Sequence, residues 1–194
     1  MYADYSKYPF LVNLINNVDV IAKEFEDAEQ KFKYVSEFKN DKNPTIYNHA
    51  DYWIKENKFH PDNIGYEARD GVWAAFPVYK IGFPIEWYNV KEQFPNVHLL
   101  LKQIPNLYFS CFMRLDSMAK TTAHKHLMKN LIFHLLLHDL DKPCVFNVNG
   151  EEKILQKKGD ALLFNYSEEH SSINLASYTR INFTIDFDPC FLDV

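Results

Sequence analysis

From Val72 onward the 194-residue chain is written as a series of short β-like runs, and that series limits the folds open to it. Trp73–Ile81, Tyr108–Leu115, Leu131–Leu137, Cys144–Val148, Glu151–Leu155, Asp160–Asn165 and Arg180–Phe187 have strand length and strand composition. Asn149-Gly150, between two of these runs, is the strongest hairpin signal, because both residues tolerate the positive φ of a tight turn. Two of the runs have faces. In Arg180–Phe187, Arg180, Asn182, Thr184 and Asp186 share one side, and Ile181, Phe183, Ile185 and Phe187 the other. On an open sheet such alternation marks a solvent face; inside a barrel it marks a pocket lining. In Leu131–Leu137, Ile132, His134 and Leu136 lie together, so His134 has an orientation.

Upstream the period changes. Phe10, Leu11, Leu14, Ile15, Val18, Ile21, Ala22 and Phe25 follow helical spacing and predict an amphipathic helix. A second helical stretch is expected over about Glu26–Phe38, before Asn43-Pro44 breaks it. Residues 44–72 read as irregular and end at the turn signal Asp70-Gly71, while Val90–Gln103 reads as a helix that Pro105 terminates. The expectation is one mainly β domain over residues 1–194: a helical N-terminal part, 1–70, and a jelly-roll or cupin-like double sheet, 71–194, with the helices packed outside.

Nearly half the chain is hydrophobic and 16% is aromatic, enough for a substantial core. A formal charge of −5 argues against nucleic acid or an anionic membrane as the main partner. Cys111, Cys144 and Cys190 are widely spaced and odd in number, which fits neither a zinc knuckle nor a disulfide framework. With no signal peptide and no long apolar span, a soluble cytoplasmic protein is expected.

The chemistry-bearing residues cluster late: His124-Lys125-His126, His134, His170 and Arg180. Histidines carried on strands of one sheet can converge on a metal, and an arginine beside them can hold a carboxylate, a combination that points to non-haem iron with a keto-acid cosubstrate. His124-x-His126 puts two imidazoles on one side if extended. Gly159 to His170 runs as a glycine turn, an apolar strand, a polar turn and a histidine, the order in which cupin-type sheets deliver a last ligand; Asn165 and Ser167 stand where proline and glycine are usual. Plainer readings compete. His49, His60, His98 and His138 read as surface residues, Glu168-Glu169 as a solvated turn, Lys157-Lys158 as a hairpin loop, and Arg180, opening a strand, more often as a surface ion-pair residue than as a ligand clamp. From the residues alone, His124 with His170 stays undecided between ligand pair and surface histidines. No serine has an activating motif, so Ser-His-Asp hydrolysis has little support.

Taken in order, the chain resembles the aspartyl/asparaginyl β-hydroxylase family, iron(II)- and 2-oxoglutarate-dependent oxygenases on a double-stranded β-helix. The resemblance is carried by Tyr8-Pro-Phe-Leu before a helix, Trp73-Ala-Ala-Phe-Pro-Val-Tyr79, Phe94-Pro95, Leu100–Leu107, His124, Asn130–Leu135, Gly159–His170 and Arg180–Asp186. It implies His124 and His170 as iron ligands, Arg180 as the partner of the distal carboxylate of 2-oxoglutarate, and His134 as a second cosubstrate contact. Three positions depart: Met113 where many members have Ser, Ile132 where many have Arg, and His126 where members carry Asp or Gly. The first two weaken the usual cosubstrate clamp. The third offers either a three-histidine site or an idle His126 with water completing the sphere, His126 near the metal being preferred, and Arg114, facing away from Met113, is no replacement.

The reading is an Fe(II)/2-oxoglutarate-dependent dioxygenase that hydroxylates an unactivated carbon of a free amino acid, an amino-acid derivative or an Asp/Asn-type residue. Asn182 and Thr184 are candidate pocket residues. Small-molecule substrate, O2 and 2-oxoglutarate are the expected partners, with no nucleic acid and no membrane. Two rivals stand beside it: a three-histidine cupin dioxygenase using His124, His126 and His170 without a keto acid, and a non-catalytic cupin-like binding protein.

Overall fold

The computed structural model describes residues 1–29, 33–34, 58–61, 73–80 and 94–189. The expectations at Asp70-Gly71, His49 and Cys190 lie outside them. A 3-10 turn, Tyr5–Lys7, is capped by Asp4, whose carboxylate accepts from the Ser6 amide. The helix expected over Phe10–Phe25 is two helices, α1 (Pro9–Asn16) and α2 (Val18–Glu29). Asn17 separates them: its side chain donates to the Asn13 carbonyl at 2.8 Å, competing with the helical ladder. The expected helix from Glu26 to Phe38 is also corrected, because α2 ends at Glu29 and Lys33–Tyr34 is a strand, β1. That strand pairs in parallel with β2 (Lys58–Pro61), a tertiary contact no local pattern announces. α3 is Pro95–Leu101; the Glu24 carboxylate accepts from the amides of Asn96 and Val97 and so ties α2 to its first turn.

The remaining strands are β3 (Trp73–Lys80), β4 (Leu107–Leu115), β5 (Lys120–His124), β6 (Leu131–Leu136), β7 (Cys144–Val148), β8 (Glu151–Leu155), β9 (Ala161–Asn165), β10 (His170–Asn174) and β11 (Arg180–Phe187). They form a seven-stranded sheet, β1-β2-β3-β4-β11-β6-β9, and a four-stranded sheet, β5-β10-β7-β8. The run β4-β11-β6-β9 against β5-β10-β7-β8 is antiparallel throughout. This is the expected double-stranded β-helix. Asn149 and Gly150 take φ of 50° and 84°, as a two-residue hairpin between β7 and β8 requires.

Each face of the large sheet has its own core. On the outer face, Phe112, Phe133, Leu135, Phe183, Ile185 and Phe187 pack under Leu11 and Leu14 of α1, Ile21 and Phe25 of α2, and Val97 and Leu101 of α3. Phe112 is the hub, with its ring 4.8–5.0 Å from those of Phe25, Phe94 and Phe183. On the inner face, Ile132, Leu136, Leu162 and Phe164 meet Cys144, Phe146, Val148 and Leu155 of the small sheet. β11 is therefore buried on both sides, and its polar alternation lines an interior instead of facing water. Among the described residues no helix is long and apolar enough to cross a membrane.

Candidate metal centre

The four-stranded sheet brings the histidines together. His170 opens β10 and lies opposite His124, the last residue of β5, with a register irregularity just after the pair. His126 follows two residues beyond β5. One potential ligand atom from each of His124, His126 and His170 lies within 4.8 Å of the other two. Two nitrogens each roughly 2.1 Å from one ion can stand no more than roughly 4.2 Å apart, so a small ring adjustment completes coordination.

The two strand histidines are oriented in the same way. The Nδ1 of His124 lies 2.8 Å from the Thr122 carbonyl, and that of His170 2.7 Å from the Glu168 carbonyl. A carbonyl can only accept, so Nδ1 carries the proton and Nε2 presents its lone pair inward. Burial lowers the pKa of His170 to about 4, against a raising effect from the Glu168 carbonyl and with smaller lowering from His124 and His126. Burial, then the neighbouring His124, lowers His126 to about 4. Both are neutral at pH 7, the form a metal needs.

Across the interior stands the large sheet. His134 of β6 lies opposite Thr184 of β11, and Asn182 opposite Met113. His134 is sandwiched near the rings of Phe146 and Phe164, and burial first, then the charges of Arg180 and His170, holds its pKa well below the ordinary value. The Asn182 amide reaches His134 Nδ1 at 3.4 Å, which leaves Nε2–H as a donor. Arg180 is 1% exposed. Its Nη1 donates to Cys144 Sγ at 3.3 Å and Ser172 Oγ at 3.4 Å, and its plane sits 5.2 Å from the Phe146 ring centre. No carboxylate pairs with it among the described residues. A buried guanidinium on such weak acceptors has an unmet demand for an anion.

One pocket joins these groups: His124, His170, His134 and Arg180 line it, with Met113 and Ile132 as apolar walls. Nε2 of His126, Nε of Arg180 and Oδ1 of Asn182 are buried with no hydrogen-bond partner. The unpaired Nε of Arg180, which lines the pocket, suits a polar anionic ligand, and the unpaired Nε2 of His126, beside His124 and His170, suits a metal. The donor set fits: imidazoles suit iron, and a guanidinium suits a carboxylate.

The sequence matches the family model described as aspartyl/asparaginyl β-hydroxylase over residues 15–189. The chain belongs to that family. No curated protein matches it. Among solved structures it is similar to a predicted oxalate decarboxylase from Thermotoga maritima, at 14% identity over 66% of this chain and 96% of that one, TM-score 0.41. It is also similar to the cupin domain of Schizosaccharomyces pombe Cnp3, at 10% identity over 66% and 72%, TM-score 0.41. A cupin protein from Bacteroides fragilis is 19% identical over 47% and 74%, TM-score 0.37.

Of the residues singled out in the sequence, His124, His126, His134, His170, Arg180 and Asn182 converge here. Thr184 is drawn away, donating to the Cys111 carbonyl at 3.0 Å. Arg114 faces the outer side as expected, paired with Asp116. The surface readings of Arg180 and His98 are corrected: both are buried, Arg180 because β11 lies between the sheets and His98 because α3 packs on the outer core. The side chain of His60 lies outside the described residues, and His138 is half-buried. Sequence reasoning missed Ser172, Cys144 and Tyr166. Counting by twos from His170 would have found Ser172; Cys144 and Tyr166 come from cross-strand pairing and a turn, which give no such signal.

Proposed function

We propose that this protein is an Fe(II)- and 2-oxoglutarate-dependent hydroxylase acting on a small substrate, a free amino acid or amino-acid derivative. The observation that carries the reading is Arg180, buried without a carboxylate in the pocket that His124 and His170 line, with His126 beside those two imidazoles. His124 and His170 are the metal ligands, with His126 as a third. Iron, when bound, couples reduction of O2 and oxidative decarboxylation of 2-oxoglutarate to hydroxylation of a carbon. The chain does the rest. Arg180 holds the far carboxylate by charge-assisted hydrogen bonds, and the Nε2–H of His134 offers a second donor. Phe146, Met113 and Ile132 keep water from the cosubstrate. Asn182, with Oδ1 unpaired, is the amide that reaches His134 and orients its ring. Substrate, O2 and 2-oxoglutarate are the partners of this site.

The test is succinate release from purified protein given Fe(II), ascorbate and 2-oxoglutarate, with and without pooled amino acids. The expected result is succinate formation that rises with a productive substrate. Iron-loaded protein that forms no succinate would refute the reading. His126 favours a second one, a three-histidine dioxygenase that needs no keto acid. That enzyme would consume O2 with substrate alone and produce no succinate.

A further inference from the structure

The three imidazoles are not held alike. His124 and His170 are each fixed by a backbone carbonyl two residues upstream. No such carbonyl holds His126 among the described residues, and its Nε2 is buried without a partner. Its ring lies flat against Tyr166, with centroids 3.7 Å apart and planes 18° from parallel. Tyr166 also grips the backbone at both ends of the 126–130 segment: its carbonyl accepts from the His126 amide at 3.2 Å, and its amide donates to the Asn130 carbonyl at 2.9 Å.

Tyr166 belongs to the turn between β9 and β10, which also aims His170. The Asn165 side chain accepts from the Ser167 amide and hydroxyl at 2.9 and 2.8 Å. The Glu168 amide closes on the Asn165 carbonyl at 3.0 Å, and the Glu168 carbonyl then receives His170 Nδ1–H. One turn therefore sets two of the three imidazoles, the first by ring stacking and the second by a hydrogen bond.

We propose that Tyr166 is the positioning residue that makes His126 a third metal ligand. This rests on the metal-centre part of the reading above and not on the keto acid. Without the ring, the backbone bonds still hold the segment, and the imidazole swings freely about χ1 and χ2.

The test uses the full chain, Co(II) titration for affinity, and Cu(II) EPR to count coordinated nitrogens from their superhyperfine lines. Wild type is expected to show three nitrogens. Tyr166→Phe keeps the stack and should stay within about 3-fold of wild-type affinity; Tyr166→Ala should weaken Co(II) by about 10–100-fold and show two nitrogens. Tyr166→Leu preserves bulk without an aromatic face, and serves if the alanine variant does not fold. In a His126→Ala background the Tyr166 substitution should change affinity by less than about 2-fold. Three nitrogens at wild-type affinity in Tyr166→Leu would overturn the proposal. So would an equal loss in the His126→Ala background, or a wild type with two nitrogens or no bound metal. A wild type with three nitrogens whose Fe(II) form makes no succinate defeats the oxygenase reading and leaves this one standing.

Discussion

The two sheets of this molecule divide its labour. In the large sheet, β4, β6 and β11 place one aromatic residue after another against three helices, and their order and register build the body of the fold. In the small sheet, β5 reads Lys-Thr-Thr-Ala-His and β10 reads His-Ser-Ser-Ile-Asn, with little apolar side chain to pack. What those strands bring is His124 and His170 at one cross-strand pair and His126 just beyond. The main core and the three converging histidines thus sit on different sheets, and Arg180 and His134 are where the two meet, on scaffold strands but lining the pocket.

Substitutions can break this division. The largest effect is expected at the proposed ligand pair: His170→Ala or His124→Ala should abolish retention of a divalent metal through gel filtration, while the metal-free unfolding midpoint stays close to wild type. Retained metal would remove that histidine from the site. Next is Phe112→Ala at the hub of the outer core, expected to cost about 3–5 kcal/mol in urea unfolding without changing metal bound per folded molecule. A loss of metal in the folded variant would show that the two faces are coupled.

Arg180→Met should sharpen the comparison, since it acts oppositely on the two properties. Removing a buried charge that lacks a carboxylate should leave the apo-protein as stable or about 1–4 kcal/mol more stable. The same change should weaken 2-oxoglutarate binding by about 10–100-fold, the value of a charged hydrogen-bonded contact. Strong destabilisation with unchanged 2-oxoglutarate affinity would make Arg180 a structural residue.

The smallest effect is on pH. His126 and His170 have folded pKa values lowered to about 4, chiefly by burial, while the unfolded chain takes up those protons near the ordinary 6.5. Between these values the unfolded state binds more protons, so this stability is present above about pH 6.5 and lost as pH falls toward about 4. Urea midpoints of metal-free protein across that window should fall, and His126→Gln with His170→Gln should flatten the fall. A slope that survives both substitutions would assign it to other groups.

The same division explains what could be read from the sequence. Every predicted strand after residue 100 except Glu151–Leu155, which follows the Asn149-Gly150 turn, belongs to a run with apolar or alternating character, and Cys144–Val148, Glu151–Leu155 and Arg180–Phe187 stand where expected. β5 and β10 were not legible as strands. A strand that carries ligands spends its inward positions on polar groups, so the period that betrays a strand is missing. The alternation in β11 was visible but ambiguous, because Arg180 and Asn182 look the same on a solvent face as on a pocket wall. Only the second sheet, packed over them, decides it. Tyr166 is hidden for another reason: its role comes from stacking across a turn onto a residue forty positions earlier.

The most direct test of the central account is an anaerobic titration of the Fe(II)-loaded protein with 2-oxoglutarate, followed by visible absorption. The account predicts a charge-transfer band that saturates at one equivalent and needs much more 2-oxoglutarate in Arg180→Met. Iron-loaded wild-type protein that develops no band would contradict it.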